Sequence, residues 1–312
     1  MTVVVSPHII EGGGSRLVSA IRDRRPDIDL EHVADEDALF AAVADADVLL
    51  TQRLPDDVLA AADDLEWVQA LSAGTDGYDY QALSDRGVAL TSVSGIHAKP
   101  IAQQVLGYLL YFERRFDRAV AQQRREEWDR YLAGELGDRT VGVVGVGAIG
   151  STVADYCQTF DARVVGTKRD PTDAPDGVDE LRGTDGLEFV CSESDYLVLA
   201  CPLTDATRGL IDADALATLP EDAVLVNVAR GAVVDQDALV DALEADEIGG
   251  AALDVFAEEP LPEGSSLWDR DDVLVTPHMA GSTPHYWERC ADVFGRNYDR
   301  FRAGEDLENR VV

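Results

Sequence analysis

Basic side chains are scarce in this chain, with 26 lysines and arginines against 60 aspartates and glutamates and a formal net charge of −34. So acidic a surface repels phosphate backbones, which excludes nucleic acid as a partner. Apolar segments are short and broken by charge, and none reaches the roughly twenty residues of a membrane span, so no membrane partner is expected. No signal segment stands before the first strand-like run, Val3-Val4-Val5, and the expected location is the cytoplasm. Cysteine is sparse as well. Cys157, Cys191, Cys201 and Cys290 lie far apart, in neither a disulfide nor a zinc spacing, and are expected as mostly buried thiols. The five histidines include no His-Glu-x-x-His arrangement, and no metal site is expected.

The acidic residues run along the whole chain, as in Asp35-Glu36-Asp37, Asp56-Asp57, Asp63-Asp64, Asp173 to Glu180 and Asp269 to Asp272. Regular apolar runs between them argue against disorder and for a hydrated acidic surface on folded domains, of the kind a salt-rich cytoplasm in a halophile tolerates. Mobile ions screen such self-repulsion, so the unfolding midpoint should rise with monovalent salt at fixed pH. Equal stability in dilute buffer and in molar salt would reject that expectation.

What the chain does have is an apolar strand running into glycines, Thr140-Val141-Gly142-Val143-Val144-Gly145-Val146-Gly147-Ala148-Ile149-Gly150. In a Gly-x-Gly-x-x-Gly turn, Gly145 suits the tight bend, Gly147 lets backbone approach phosphates, and Gly150 allows the next helix to pack closely. A dinucleotide pyrophosphate would sit at that helix's N-terminus. At 312 residues two domains are expected. The first alternates runs at Thr2 to Val5, Asp47 to Leu50, Trp67 to Leu71 and Val88 to Leu90 with helical stretches at Gly14 to Arg24 and Glu36 to Ala44. One helix is expected from Ile101 to about Gln123, with Val105, Leu109 and Phe112 on one face. The second domain should have six strands, at Val141 to Val144, Arg163 to Gly166, Tyr196 to Leu199, Ala223 to Asn227, Gly250 to Leu253 and Val273 to Thr276. A last helix is expected from Trp287 to Phe301.

Four further segments can carry chemistry. The second strand of the nucleotide domain ends in Thr167-Lys168-Arg169, where an NAD site usually places an acidic residue for the ribose. A carboxylate would repel a 2'-phosphate, whereas Lys168 and Arg169 can pair with one, so NADP(H) is the preferred cofactor, with NAD(H) possible through Thr167. In Val226-Asn227-Val228-Ala229-Arg230-Gly231, Arg230 follows a strand's carboxyl end, where its guanidinium can grip a carboxylate bidentately and polarise a carbonyl. The Asp254 to Pro260 run and Thr276-Pro277-His278 also follow strands, and a carboxylate beside an imidazole favours the protonated ring, the state that gives a proton. A surface ion pair for Arg230 and a structural place for His278 are the plainer readings of each residue alone.

Together these motifs resemble the D-isomer-specific 2-hydroxyacid dehydrogenase family, the 2-oxoacid reductases that include glyoxylate and hydroxypyruvate reductases. The likeness runs nearly end to end: Ser72-Ala73-Gly74-Thr75-Asp76, GVGAIG, Cys201-Pro202-Leu203-Thr204 with Thr207, NVARG, DVFAEEP, Leu267-Trp268 and TPHMAG. The resemblance implies an α/β fold of two Rossmann-like domains with parallel sheets. Residues 98–285 would form the cofactor domain, inserted in a discontinuous substrate domain of residues 1–97 and 286–312, with the active site in the cleft. It implies catalysis by Arg230, Glu259 and His278, with Arg230 orienting the oxoacid carboxylate and polarising its carbonyl, Glu259 orienting His278, and His278 exchanging the proton. It places Ala73 and Gly74 on the substrate carboxylate and Asp254 on the nicotinamide carboxamide. Gly145, Gly147, Ala148, Ile149, Gly150, Thr167, Lys168, Arg169, Cys201, Pro202, Thr207, Val228 and Ala229 complete the implied cofactor site. Tyr78, Tyr80 and Arg53 are candidates for the substrate side-chain pocket. The partner implied is a small 2-oxoacid or 2-hydroxyacid, in a homodimer whose arm is Gln122 to Leu136. One departure is Ile101-Ala102-Gln103, where many relatives have Val-Ala-Glu. The alternative function is a dinucleotide-sensing interaction protein without chemistry, whose mark would be loss of the catalytic set.

Overall fold

Short runs rich in valine and leucine become strands here because both faces of each sheet are covered. A computed structural model describes residues 1–10 and 12–312, which divide into two compact units, Met1–Ile96 with Thr283–Val312, and His97–Ser282. In the first unit β1 (Val3–Val5), β2 (Leu30–His32), β3 (Val48–Thr51), β4 (Trp67–Ala70) and β5 (Ala89–Thr91) pair in parallel in the order β2-β1-β3-β4-β5. Side chains alternate between two cores, Val3, Val5, Val48 and Leu50 on one face, Val4 and Leu49 on the other. That is the two-residue period of a pleated strand. The helices Gly13–Arg24 and Tyr286–Ala303 pack together in this unit, and Phe294 of the latter stacks on Trp67 at 5.5 Å between ring centres.

The second unit holds β6 (Thr140–Val144), β7 (Arg163–Thr167), β8 (Glu180–Arg182), β9 (Tyr196–Leu199), β10 (Val224–Asn227), β11 (Gly250–Leu253) and β12 (Val273–Val275). These seven strands are parallel, in the order β12-β11-β10-β9-β6-β7-β8. The order reverses between β6 and β9, the switch point where doubly wound sheets bind ligands beyond the strands' carboxyl ends. Again the faces alternate: Leu197, Leu199 and Leu225 meet one core, Tyr196, Val198, Val224 and Val226 the other. The parallel α/β architecture expected from the sequence is therefore present in both units.

Three readings of the sequence need correction. The strands β2 and β8 were not expected; each is a three-residue edge strand carrying charge, Leu-Glu-His and Glu-Leu-Arg. An edge strand has one paired side and no sustained apolar run to betray it. The single helix from Ile101 to Gln123 is two, Ala98–Glu113 and Phe116–Arg124, broken at Arg115, whose φ of 53° is left-handed. Tertiary bonding outweighs the continuing helical period there. The buried Glu113 carboxylate accepts from Arg139 Nε at 2.9 Å and from Tyr196 OH at 2.7 Å, fixing the first helix's end, and Arg115 O accepts from Tyr131 OH at 3.1 Å. All four cysteines are free and buried, as expected, and burial pushes the thiols of Cys157 and Cys290 up to about 12. No helix is long and apolar enough to cross a membrane, and no cluster of metal-ligating side chains occurs among the described residues.

Candidate active site

At the carboxyl end of β6 the chain turns through Gly145, at φ 96°, whose amide and that of Val146 donate to Thr167 O at 3.0 and 2.8 Å. A Cβ on Gly145 would come within 2.7 Å of the Cys201 backbone, and one on Gly150 within 2.4 Å of Gly145 O. Both glycines are thus demanded by packing. Gly147 differs, because a Cβ there would meet open space. The helix Ala148–Gln158 that follows has no side-chain cap and no acidic residue in its first turn. Its amides and the positive end of its dipole are left for an anion, and Ala148 and Ile149 stand where a pyrophosphate would lie. The residues present fit a dinucleotide.

Thr167 ends β7 and is buried. The next cation is already engaged: Lys168 Nζ donates to Asp173 O at 2.9 Å and lies 3.4 Å from the Asp173 carboxylate. Arg169 is exposed and has no hydrogen bond or ion pair among the described residues. After β9, Thr207 Oγ1 donates to Pro202 O at 2.7 Å and accepts from Thr204 N at 2.8 Å, so this hydroxyl closes its own loop. Burial pushes the Cys201 thiol above its ordinary range.

After β10 the turn is built by Asn227, a residue given no role from the sequence. Its side chain is buried, donating from Nδ2 to Arg230 O at 3.1 Å and accepting from Ala229 N at 3.0 Å. The turn Val228-Ala229-Arg230 is thereby held, and Arg230 donates to Ala229 O at 2.7 Å. Gly231 was missed as well. A Cβ there would lie 1.9 Å from the Phe256 carbonyl carbon, so only glycine lets this turn touch the loop after β11. That loop carries Glu259, which accepts from Phe256 N at 3.0 Å with one oxygen and contacts His278 Nδ1 at 2.7 Å with the other. Burial alone would raise the Glu259 carboxyl; hydrogen bonds from His278 and the Phe256 amide, with the charges of His278 and Arg230, outweigh it and hold the group below its ordinary value of 4.5. The ionised carboxylate accepts only, so Nδ1 carries its hydrogen and Nε2 is the atom left for proton transfer. His278 is open to solvent, its side chain 53% exposed.

In the first unit, Ala73 and Gly74 follow β4 in a loop where Ser72 Oγ donates to Gly74 O at 2.7 Å. The amides of Ala73 and Gly74 donate to no described group, which leaves two adjacent donors for an anion. Tyr78 OH donates to Thr51 O at 3.0 Å and Tyr80 OH lies 2.9 Å from Thr75 Oγ1, so both phenols serve the local fold. Arg53, beyond β3, is exposed.

Residues 106–280 match the D-isomer specific 2-hydroxyacid dehydrogenase NAD binding domain, and the chain belongs to this family. A glyoxylate reductase of Thermofilum pendens is 34% identical over 283 residues, covering 88% of this chain and 81% of the relative. A D-3-phosphoglycerate dehydrogenase of Methanocaldococcus jannaschii is 32% identical over 88% of this chain, which spans 53% of that relative's length. Among solved structures, a D-isomer specific 2-hydroxyacid dehydrogenase from Xanthobacter autotrophicus Py2 in complex with NADPH and MES is similar, with a TM-score of 0.87, 32% identity and coverage of 100% and 98% of the two chains. An NADPH-dependent glyoxylate/hydroxypyruvate reductase from Sinorhizobium meliloti, in complex with NADP and sulfate, has a TM-score of 0.85 at 27% identity, over 99% and 98% of the two chains.

Proposed function

We propose that this protein is an NADPH-preferring reductase that interconverts small 2-oxoacids and D-2-hydroxyacids. The observation that carries the reading is the convergence of Arg230, Glu259 and His278 on loops after β10, β11 and β12, with Glu259 2.7 Å from His278. The reduced nicotinamide, when bound, supplies the hydride for the carbonyl carbon. The protein supplies the rest. Arg230 holds the carboxylate and polarises the carbonyl, His278 gives the proton from Nε2 to the carbonyl oxygen, and Glu259 stabilises the ring while it is charged. Residues 1–97 with 286–312 are proposed as the substrate domain, where the adjacent Ala73 and Gly74 amides are donors for an anion, and 98–285 as the cofactor domain. Relatives that are reductases of glyoxylate support the substrate class. Incubation with NADPH and a panel of 2-oxoacids, followed by nicotinamide absorbance and product chirality, tests the reading. No turnover on any of them, or only L product, defeats it.

The cofactor site is proposed as Gly145, Gly147, Ala148, Ile149 and Gly150 for the pyrophosphate, Thr167, Lys168 and Arg169 for the ribose phosphate, and Cys201, Pro202, Thr207, Val228 and Ala229 along the rest. Since Asp173 already holds Lys168, Arg169 should do more for a 2'-phosphate than its neighbour, and it alone has the bidentate fork. Changing both to alanine should raise the KM for NADPH about tenfold and leave that for NADH nearly unchanged, because charge-assisted bonds to the extra phosphate are lost. A parent that favours NADH tenfold or more in kcat/KM, about 1.4 kcal/mol of discrimination, overturns the preference. A cytoplasmic homodimer completes the proposal, supported by Trp128 and Leu132, 95% and 96% exposed between the helix Phe116–Arg124 and β6. Exposed apolar side chains of that size mark an interaction surface.

A further inference from the structure

The Asp254 carboxylate is 2% exposed, and its hydrogen bonds all run to the segment that carries His278. One oxygen accepts from Met279 N at 2.9 Å and from the Thr276 hydroxyl, the other from Ala280 N at 2.8 Å. The backbone carbonyl of Asp254 accepts from His278 N, also at 2.8 Å. The Thr276 hydroxyl spends its hydrogen on the Asp254 carboxylate and is left to accept from Tyr108 OH, 2.5 Å away. Tyr108 is buried on the helix Ala98–Glu113, within the same apolar core as β6, β9 and β10. His278 itself has φ 48°, a left-handed conformation that a non-glycine residue keeps only where its surroundings over-determine it. Bonds on both sides of His278 supply that constraint.

We propose that Asp254, steadied through Thr276 by Tyr108, is a positioning residue: it clamps the Thr276–Ala280 turn so that Nδ1 of His278 meets Glu259 and Nε2 is aligned for proton transfer. The proposal rests on His278 as the proton donor and assigns to Asp254 a task other than holding the nicotinamide carboxamide. Three hydrogen bonds already occupy three of the roughly four acceptor sites of a carboxylate. Asparagine at this position would have to turn an amide N–H toward one of those donors, leaving a buried donor unpaired.

The test compares the parent with D254N, T276V, T276S and Y108F on a reactive 2-oxoacid, with NADPH affinity measured separately by fluorescence titration. Loss of alignment at the reacting atoms should lower kcat of D254N by up to about 100-fold, with NADPH affinity within roughly threefold of the parent. T276V and Y108F should lose kcat in the same sense by smaller factors, T276V the more, while T276S keeps the hydroxyl and most of the rate. A D254N enzyme with parental kcat at saturating NADPH and weakened NADPH binding overturns the proposal, as does a T276V enzyme equal to the parent. Hydrogen exchange gives a readout independent of turnover. The Met279 and Ala280 amides should exchange faster in D254N than in the parent, and unchanged protection refutes the clamp. A parent that turns over no 2-oxoacid fails the reductase reading alone, and exchange then decides the clamp.

Discussion

His278→Ala should lower kcat by about 10²–10⁴-fold, the range that a positioned proton donor supplies, with NADPH affinity close to the parent's. Negative charge develops on the carbonyl oxygen only as hydride arrives, so the proton from Nε2 is worth most in the transition state and little in the dinucleotide complex. Glu259 holds Nδ1 at 2.7 Å, so the proton is given from Nε2, and alanine removes that donor altogether. Water has access to the exposed ring position, which is why a residual rate should persist. Steady-state kinetics on purified variant and parent, with folding checked by circular dichroism, reads the effect. Parental kcat in the variant would remove His278 from the chemistry.

Arg230→Ala should be as damaging, but in a different pattern. Carboxylate binding and carbonyl polarisation are assigned to one guanidinium, so KM for the oxoacid should rise while kcat falls. A lost charged hydrogen bond of about 1.5–3 kcal/mol, together with lost transition-state stabilisation, corresponds to roughly 10³-fold or more in kcat/KM. Arg230→Lys should recover only part of the loss, because an ammonium is a point charge without the planar fork. An unchanged response to oxoacid concentration and an unchanged kcat in the alanine variant would defeat the assignment.

Much of this arrangement was legible in the sequence where the physics is local. The strand-glycine-helix turn at 140–150 is readable because its demands are mostly local, a positive φ at Gly145 and the close approach of Gly150 to Gly145 O, and only the packing of Gly145 on Cys201 comes from a distant segment. Buried parallel strands such as Val141-Gly142-Val143-Val144 are readable because neither face can be polar. What escaped depends on atoms brought from elsewhere. The break at Arg115 is set by Glu113 meeting Arg139 and Tyr196, 26 and 83 residues away, and no helical period records that. Asn227 lies within the Val226 to Gly231 segment, yet its capping of the Arg230 turn is visible only once the backbone doubles back. The engagement of Lys168 by Asp173, five residues on, was invisible because the Asp170 to Gly177 stretch reads as any solvated acidic loop.

At Gly231 the site is dimensioned by missing atoms. With a Cβ excluded by 1.9 Å from the Phe256 carbonyl carbon, two backbones touch with no side chain between them. The gap between the Arg230 turn and the Glu259 loop is therefore a sum of van der Waals radii, not the outcome of rotamers or of a salt bridge that can open. Such a spacer has no adjustable length. Substitution of side chains around it leaves the span between guanidinium-bearing turn and carboxylate-bearing loop the same.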